Sequence, residues 1–136
     1  ILGKLKAGFE FGRFPEIMEM AGGDPDKVTL EMFCESAAQE HPDSVKLMLD
    51  LANILGEALG MAVNILAPEV VVLSGQLAQL GEPFFQEISK VLERNVVQEI
   101  YQGLKVTASV FNEYIGAIGA AAYAMQEEFD FIDKQI

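Results

Sequence analysis

The run Val70-Val71-Val72-Leu73 constrains this chain more than any other stretch. Four consecutive branched apolar residues show no polar alternation, so a strand here is expected to be buried on both faces, as a parallel strand under helices is. Pro68 stands just before it and ends a long apolar helix, while Ser74-Gly75 follows as a turn. Beyond the turn the chain passes through Leu80-Gly81 to a helix opening near Pro83, a first helical position where the missing N–H is no loss. Phe84, Ile88, Val91 or Leu92, and Val96 form its inner face, and the pattern extends to Tyr101, ahead of Gly103. In LKVTASV, Leu104, Val106, Ala108 and Val110 then alternate with Lys105, Thr107 and Ser109, the mark of a strand with one wetter face at a sheet edge. Strand, helix and strand at this spacing make a βαβ unit with parallel strands and a right-handed crossover. The expected fold class is therefore α/β, with helices packed on a small, largely parallel sheet.

That arrangement also proposes a site. In open α/β sheets, anionic ligands bind at the carboxyl ends of strands, facing helix N-termini. The candidate residues are Ser74, Gly75 and Gln76 at the first strand's exit and Asn112 at the second, where it is expected to cap the last helix, IGAIGAAAYAMQ. Gly75 takes away a side chain where a ligand would approach, and exposed backbone N–H groups suit an anion or a polar ring edge. The last helix carries almost no bulk at Gly116, Ala117, Gly119, Ala120 and Ala121, so a helix or sheet is expected to pack closely on it. The other reading of that face is a wall kept thin for a flat ligand.

Upstream, the longest helix is expected from about Val45 to Leu66, capped by Asp43 or Ser44. Lys46, Asp50, Asn53, Glu57 and Asn64 recur at spacings of four, three, four and seven and line one narrow face. Leu47, Leu49, Leu51, Ile54, Leu55, Leu59, Val63 and Ile65 are assigned to the inside. Its polar stripe argues against a membrane span, where charges are expensive, and for a nearly buried core helix. Gly56 and Gly60, one turn apart, let a neighbouring backbone come close. Thr29 is expected to cap a helix running to about Gln39, with Leu30, Phe33, Cys34 and Ala37 inside. The chain reads as one domain over 1–136: an irregular or helical lead-in at 1–28, a core at 29–126 and an acidic, aromatic-bearing tail at 127–136. It opens on Ile1, not Met, in what looks like the middle of a longer protein.

Composition removes several functions. Nine basic residues against twenty-one acidic ones give a net charge of −12, which disfavours nucleic-acid contact from this chain, because that affinity rests on Lys and Arg neutralising phosphates. A single cysteine, Cys34, makes no internal disulfide, which fits a reducing cytoplasm, and its helical neighbours mark it as a small core hydrophobe. His41, alone in the polar connection EHPDS, is expected to be solvated and to bind no metal. One loop histidine cannot anchor a Ser-His-Asp arrangement, and HExxH, CxxC and GxxxxGK[ST] do not occur. No catalytic residue is assigned.

The run NILAPEVVVLSGQLAQLGEPFF, followed by IGAIGAAAYAM, resembles the C-terminal part of the ROK family (repressors, open reading frames, kinases), within the sugar kinase and actin-like ATPase superfamily. The resemblance covers roughly Thr29 to Met125. It rests on a helix ending in Asn-x-x-x-Pro-Glu, a hydrophobic strand, a Gly-Gly turn and a helix, closed by a further strand and a Gly-Ala-Ala helix. It implies a C-terminal actin-like lobe whose Ser74-Gly75 turn lies on the adenosine side of an ATP site in kinase members. Two departures lean toward a regulator: Ser74 stands for the first glycine of the pair, and Asn112-Glu113-Tyr114 for the family's usual Asp-Ala-Gly. The family's phosphate loop, catalytic Asp, His/Cys zinc motif and helix-turn-helix do not occur in this sequence. The chain alone is therefore expected neither to phosphorylate a sugar nor to bind an operator. The resemblance implies a parent that senses a small sugar as a homo-oligomer, with no membrane partner and no cofactor in this part. If the parent is a kinase, ATP joins the sugar as substrate.

Overall fold

In the computed structural model, residues 1–110 and the backbone of 115–133 are described. Helices α1 (Leu2–Phe9), α2 (Pro15–Met20) and α3 (Leu30–Ala38) lead to the long α4 (Pro42–Leu66). Strand β1 (Val70–Leu73), a 3₁₀ turn at Gln76–Leu80, α5 (Glu82–Asn95), the short α6 (Gln98–Tyr101), β2 (Lys105–Ala108) and α7 (Ile115–Asp133) complete the order. The two strands pair in parallel, Val70 opposite Lys105 and Leu73 opposite Ala108, as a βαβ unit requires.

The core gathers between the sheet, α4, α5 and the N-terminal helices. Phe84, Ile88, Val91, Leu92 and Val96 are all buried, so the inner face of α5 is the one its spacing announced. Its crossing with α4 is close because of glycine: a Cβ at Gly56 would lie 2.7 Å from Val91 Cβ. Thr29 caps α3 as expected, its Oγ1 accepting from Met32 N–H at 3.4 Å, and Cys34 is a buried core residue. The lead-in contributes to the same core through Leu5, Phe14 and Ile17. Arg13, stacked on the Phe14 ring, also bonds Asp43 in the first turn of α4 at 2.9 Å.

Several expectations need correction. β1 is not buried on both faces: Val70 and Val72 are 47% and 53% exposed, while Val71 and Leu73 face the core. The crossover through α5 places helices on one side of the sheet, and among the described residues nothing covers the other. Val110 is 84% exposed and Ala108 exposed, so β2 ends sooner and buries less than its alternation suggested. The helix from Pro83 stops at Asn95, because Val96 turns extended (φ −100°, ψ 143°), and α6 is a separate turn. On α4, Ile54 and Ile65 are exposed, as are Met61 and, marginally, Leu49, so apolar residues flank the polar stripe and the outward face is wider than drawn. That helix begins at Pro42, with His41 preceding it; Ser44, proposed as a cap, is buried and hydrogen-bonded to Ser36 at 2.8 Å. Residues Gly116 to Met125 of α7 are exposed, and a Cβ at Gly116 or Gly119 would meet nothing within 4 Å, so among the described residues no close neighbour sits on the small face. By length and composition α4 could cross a membrane, but Leu47, Ala52, Gly56, Gly60 and Val63 are buried in the core.

Candidate functional site

The exits of β1 and β2 lie side by side, with Ser109 N–H donating to the Leu73 carbonyl at 2.7 Å. Ser74 and Gly75 follow β1 directly and are exposed. Gly75 has φ 80° and ψ −167°, a conformation that side chains disfavour, yet a Cβ there would meet nothing within 4 Å among the described residues. Backbone geometry, not crowding, calls for the glycine, and the space in front of it is open. Gln76 begins the 3₁₀ turn, in which Ala78 N–H donates to the Gly75 carbonyl at 3.1 Å. The structure thus brings Ser74, Gly75 and Gln76 together at the mouth. Asn112 lies outside the described residues.

Gln76 does not stand free. Its side-chain amide donates to the Glu31 carboxylate, and its carbonyl accepts from the Cys34 thiol at 3.7 Å. Glu31 is held below the usual glutamate range, first by a hydrogen bond from its own backbone N–H and then by the Thr29 hydroxyl, with Gln76 adding to these. Burial pushes the Cys34 thiol up, with the charge of Glu31 adding to the shift, so the sulfur is a neutral packing group and not a nucleophile. His41 faces Glu16 at 3.2 Å through Nδ1 and Gln39 at 3.2 Å through Nε2. Among the described residues, no group of three or more His, Cys, Asp or Glu side chains is placed to hold a metal.

Beside the mouth runs an open groove of about 620 Å³ between α5 and β2. Phe85 and Val106 give it apolar walls; Gln86, Ser89 and Lys90 give it polar handles. It reaches Ala78 and Ala108 at the strand exits but is not lined by Ser74, Gly75 or Gln76. The turn and the groove are therefore neighbours, one an exposed backbone corner, the other a trough along the edge strand.

Sequence reasoning missed the role of Glu31, the bond from Cys34 to Gln76 and, further off, the bonds of Asn64. Glu31 and Cys34, three apart on α3, share a face and could have been paired with each other, but nothing local points to Gln76 as their partner. Asn64, assigned only to a wet stripe, donates to the Asn95 carbonyl at 2.8 Å and accepts from Val97 N–H at 2.9 Å. It ties the end of α4 to the end of α5, ahead of the strands' starts and not at their exits.

A family model described as "ROK family" matches residues 15–127. The chain belongs to the ROK family. Among curated proteins, it is 24% identical over 99 residues to a "Putative xylose repressor" of Caldicellulosiruptor sp. (strain Rt8B.4), a match covering 73% of this chain and 25% of that protein. Among solved structures, it superposes with a TM-score of 0.67 and 19% identity on a ROK family transcriptional regulator described as a homolog of the E. coli MLC protein. That match covers 79% of this chain and 26% of the other. A putative sugar kinase from Cytophaga hutchinsonii ATCC 33406 gives a TM-score of 0.66 at 18% identity, over 71% of this chain and 32% of the other. These likenesses show that the chain shares its fold with the ROK regulator and sugar kinase structures, and it spans about a quarter to a third of the length of each relative.

Proposed function

We propose that this chain is the C-terminal effector and dimerisation lobe of a sugar-responsive ROK transcriptional regulator. What carries the reading is Ser74 at the exposed exit of β1, where the family motif has the first of two glycines. A β-carbon and hydroxyl stand there in place of the bare backbone of the glycine pair on the adenosine side of a kinase's ATP site. The relative named as a xylose repressor supports the same direction. In this reading Ser74, Gly75 and Gln76, with Asn112, form one wall of the cleft that receives a small sugar. The full-length protein works in the cytoplasm as a homo-oligomer and makes no membrane contact, and this chain makes no direct contact with DNA, in keeping with its net charge of −12.

The alternative is the C-terminal lobe of an ATP-dependent sugar kinase, favoured by the superposition on a putative sugar kinase and by the open space in front of Gly75. There the same turn would face ATP. Titration calorimetry of the full-length protein with ATP, D-glucose and D-xylose separates the two. Sugar binding without ATP turnover supports the regulator; ATP binding with phosphoryl transfer to the sugar overturns it.

A further inference from the structure

The turn at the mouth is held from one side by α3. Glu31 and Cys34 are one helical turn apart and meet the same residue, Gln76, one through its side-chain amide and the other through its carbonyl. α3 is itself fixed: Thr29 caps it, Phe33 and Ala37 are buried, and Ser36 bonds Ser44 of α4 at 2.8 Å. A line of contacts therefore runs from α4 through α3 to the residue that follows Gly75. An exposed corner with a glycine at its centre has many conformations to lose on meeting a ligand, and ordering it beforehand removes that cost from binding.

We propose that Glu31 is a positioning residue, which by holding Gln76 sets the Ser74–Gly75 corner in the conformation that meets the effector. The second half of this rests on the proposed function; the first half does not. Glu31 touches no ligand. It acts through Gln76, and Cys34 supplies a neutral second hold on the same residue.

The test uses the full-length protein and the variants Glu31→Ala, Glu31→Gln and Glu31→Ala with Gln76→Ala, followed by hydrogen exchange and by calorimetry with D-xylose, D-glucose and MgATP. In Glu31→Ala, amide exchange across 75–80 should quicken by about threefold to tenfold, the scale of one hydrogen bond lost at a surface. Exchange in the second half of α5 should stay unchanged. Glu31→Gln keeps a hydrogen-bond acceptor and should keep the protection, while the double variant should add nothing to Glu31→Ala. Whichever probe the parent binds should bind Glu31→Ala more weakly by a similar factor. Unchanged exchange across 75–80 overturns the proposal whatever the ligand. So does faster exchange with unaltered affinity for a probe that the parent binds. If the parent binds none of the three probes, the effector reading falls, and faster exchange across 75–80 in Glu31→Ala then upholds the hold on Gln76 alone.

Discussion

The crossing of α4 with α5 and the open side of the sheet are built from the same kinds of residue and behave in opposite ways. At the crossing, Val91 lies so close to Gly56 that one added carbon would overlap it, and Ile88, Leu92 and Val63 are sealed from solvent. On the sheet, Val70 and Val72 are about half exposed, and Met61 and Ile65 are exposed on α4. Hydrophobic content does not distinguish the two. What does is the small residue that lets backbones approach, together with the crossover that puts α5 on one side of the sheet, where it packs on α4.

Changes at each place should differ in size accordingly. Phe84→Ala, which empties a fully buried site beneath the α5 N-terminus, should cost about 3–5 kcal/mol in urea unfolding. A loss below 1 kcal/mol would mean that the crossing is not the core. Gly56→Ala should cost about 1–3 kcal/mol, because Val91 is branched and cannot swing clear, despite the better helix propensity of alanine. Gly60→Ala is the control, since its Cβ would sit 3.4 Å from Asn95 Cβ. There propensity and crowding nearly cancel, so the midpoint should barely move; equal effects at the two glycines would show that helix propensity alone governs both. Val72→Thr, on the open face, should change stability by less than about 0.5 kcal/mol. A larger loss would mean that this face is covered in the intact protein, and would redraw the contrast.

The smallest effect concerns acid. The Glu31 carboxylate has its pKa lowered in the folded chain, so its contribution is complete above the ordinary glutamate range and fades as pH falls through the lowered value. Hydrogen exchange across 75–80, corrected for intrinsic rates, should therefore loosen at low pH in the native protein but stay flat in Glu31→Gln.

Elements with strong local signals were legible in the sequence. The strand at Val70–Leu73, the inner face of α5, the Thr29 cap, the burial of Cys34 and the parallel pairing all follow from spacing, capping chemistry and crossover rules. The family was legible by its resemblance to the ROK order of motifs, and Ser74, Gly75 and Gln76 do share the turn that follows β1. The sidedness of the sheet was not legible, because four branched residues look alike whether one face or both are covered. Nor were Ile54 and Ile65 readable as exposed, since apolar residues beside a polar stripe look inward until the neighbours are known. Glu31 with Gln76, and Asn64 with Asn95, pair across 45 and 31 positions, and no local pattern announces a hydrogen bond over such a span.

Asn64 carries one more implication. By accepting and donating at the far end of α5, it fastens that helix at its base, while the N-terminal end beside Gly81 borders the trough and the mouth. The opposite end is held by packing, through the fully buried Phe84, so the two ends of one rod are fastened by different forces: directional bonds at the root, apolar burial at the rim.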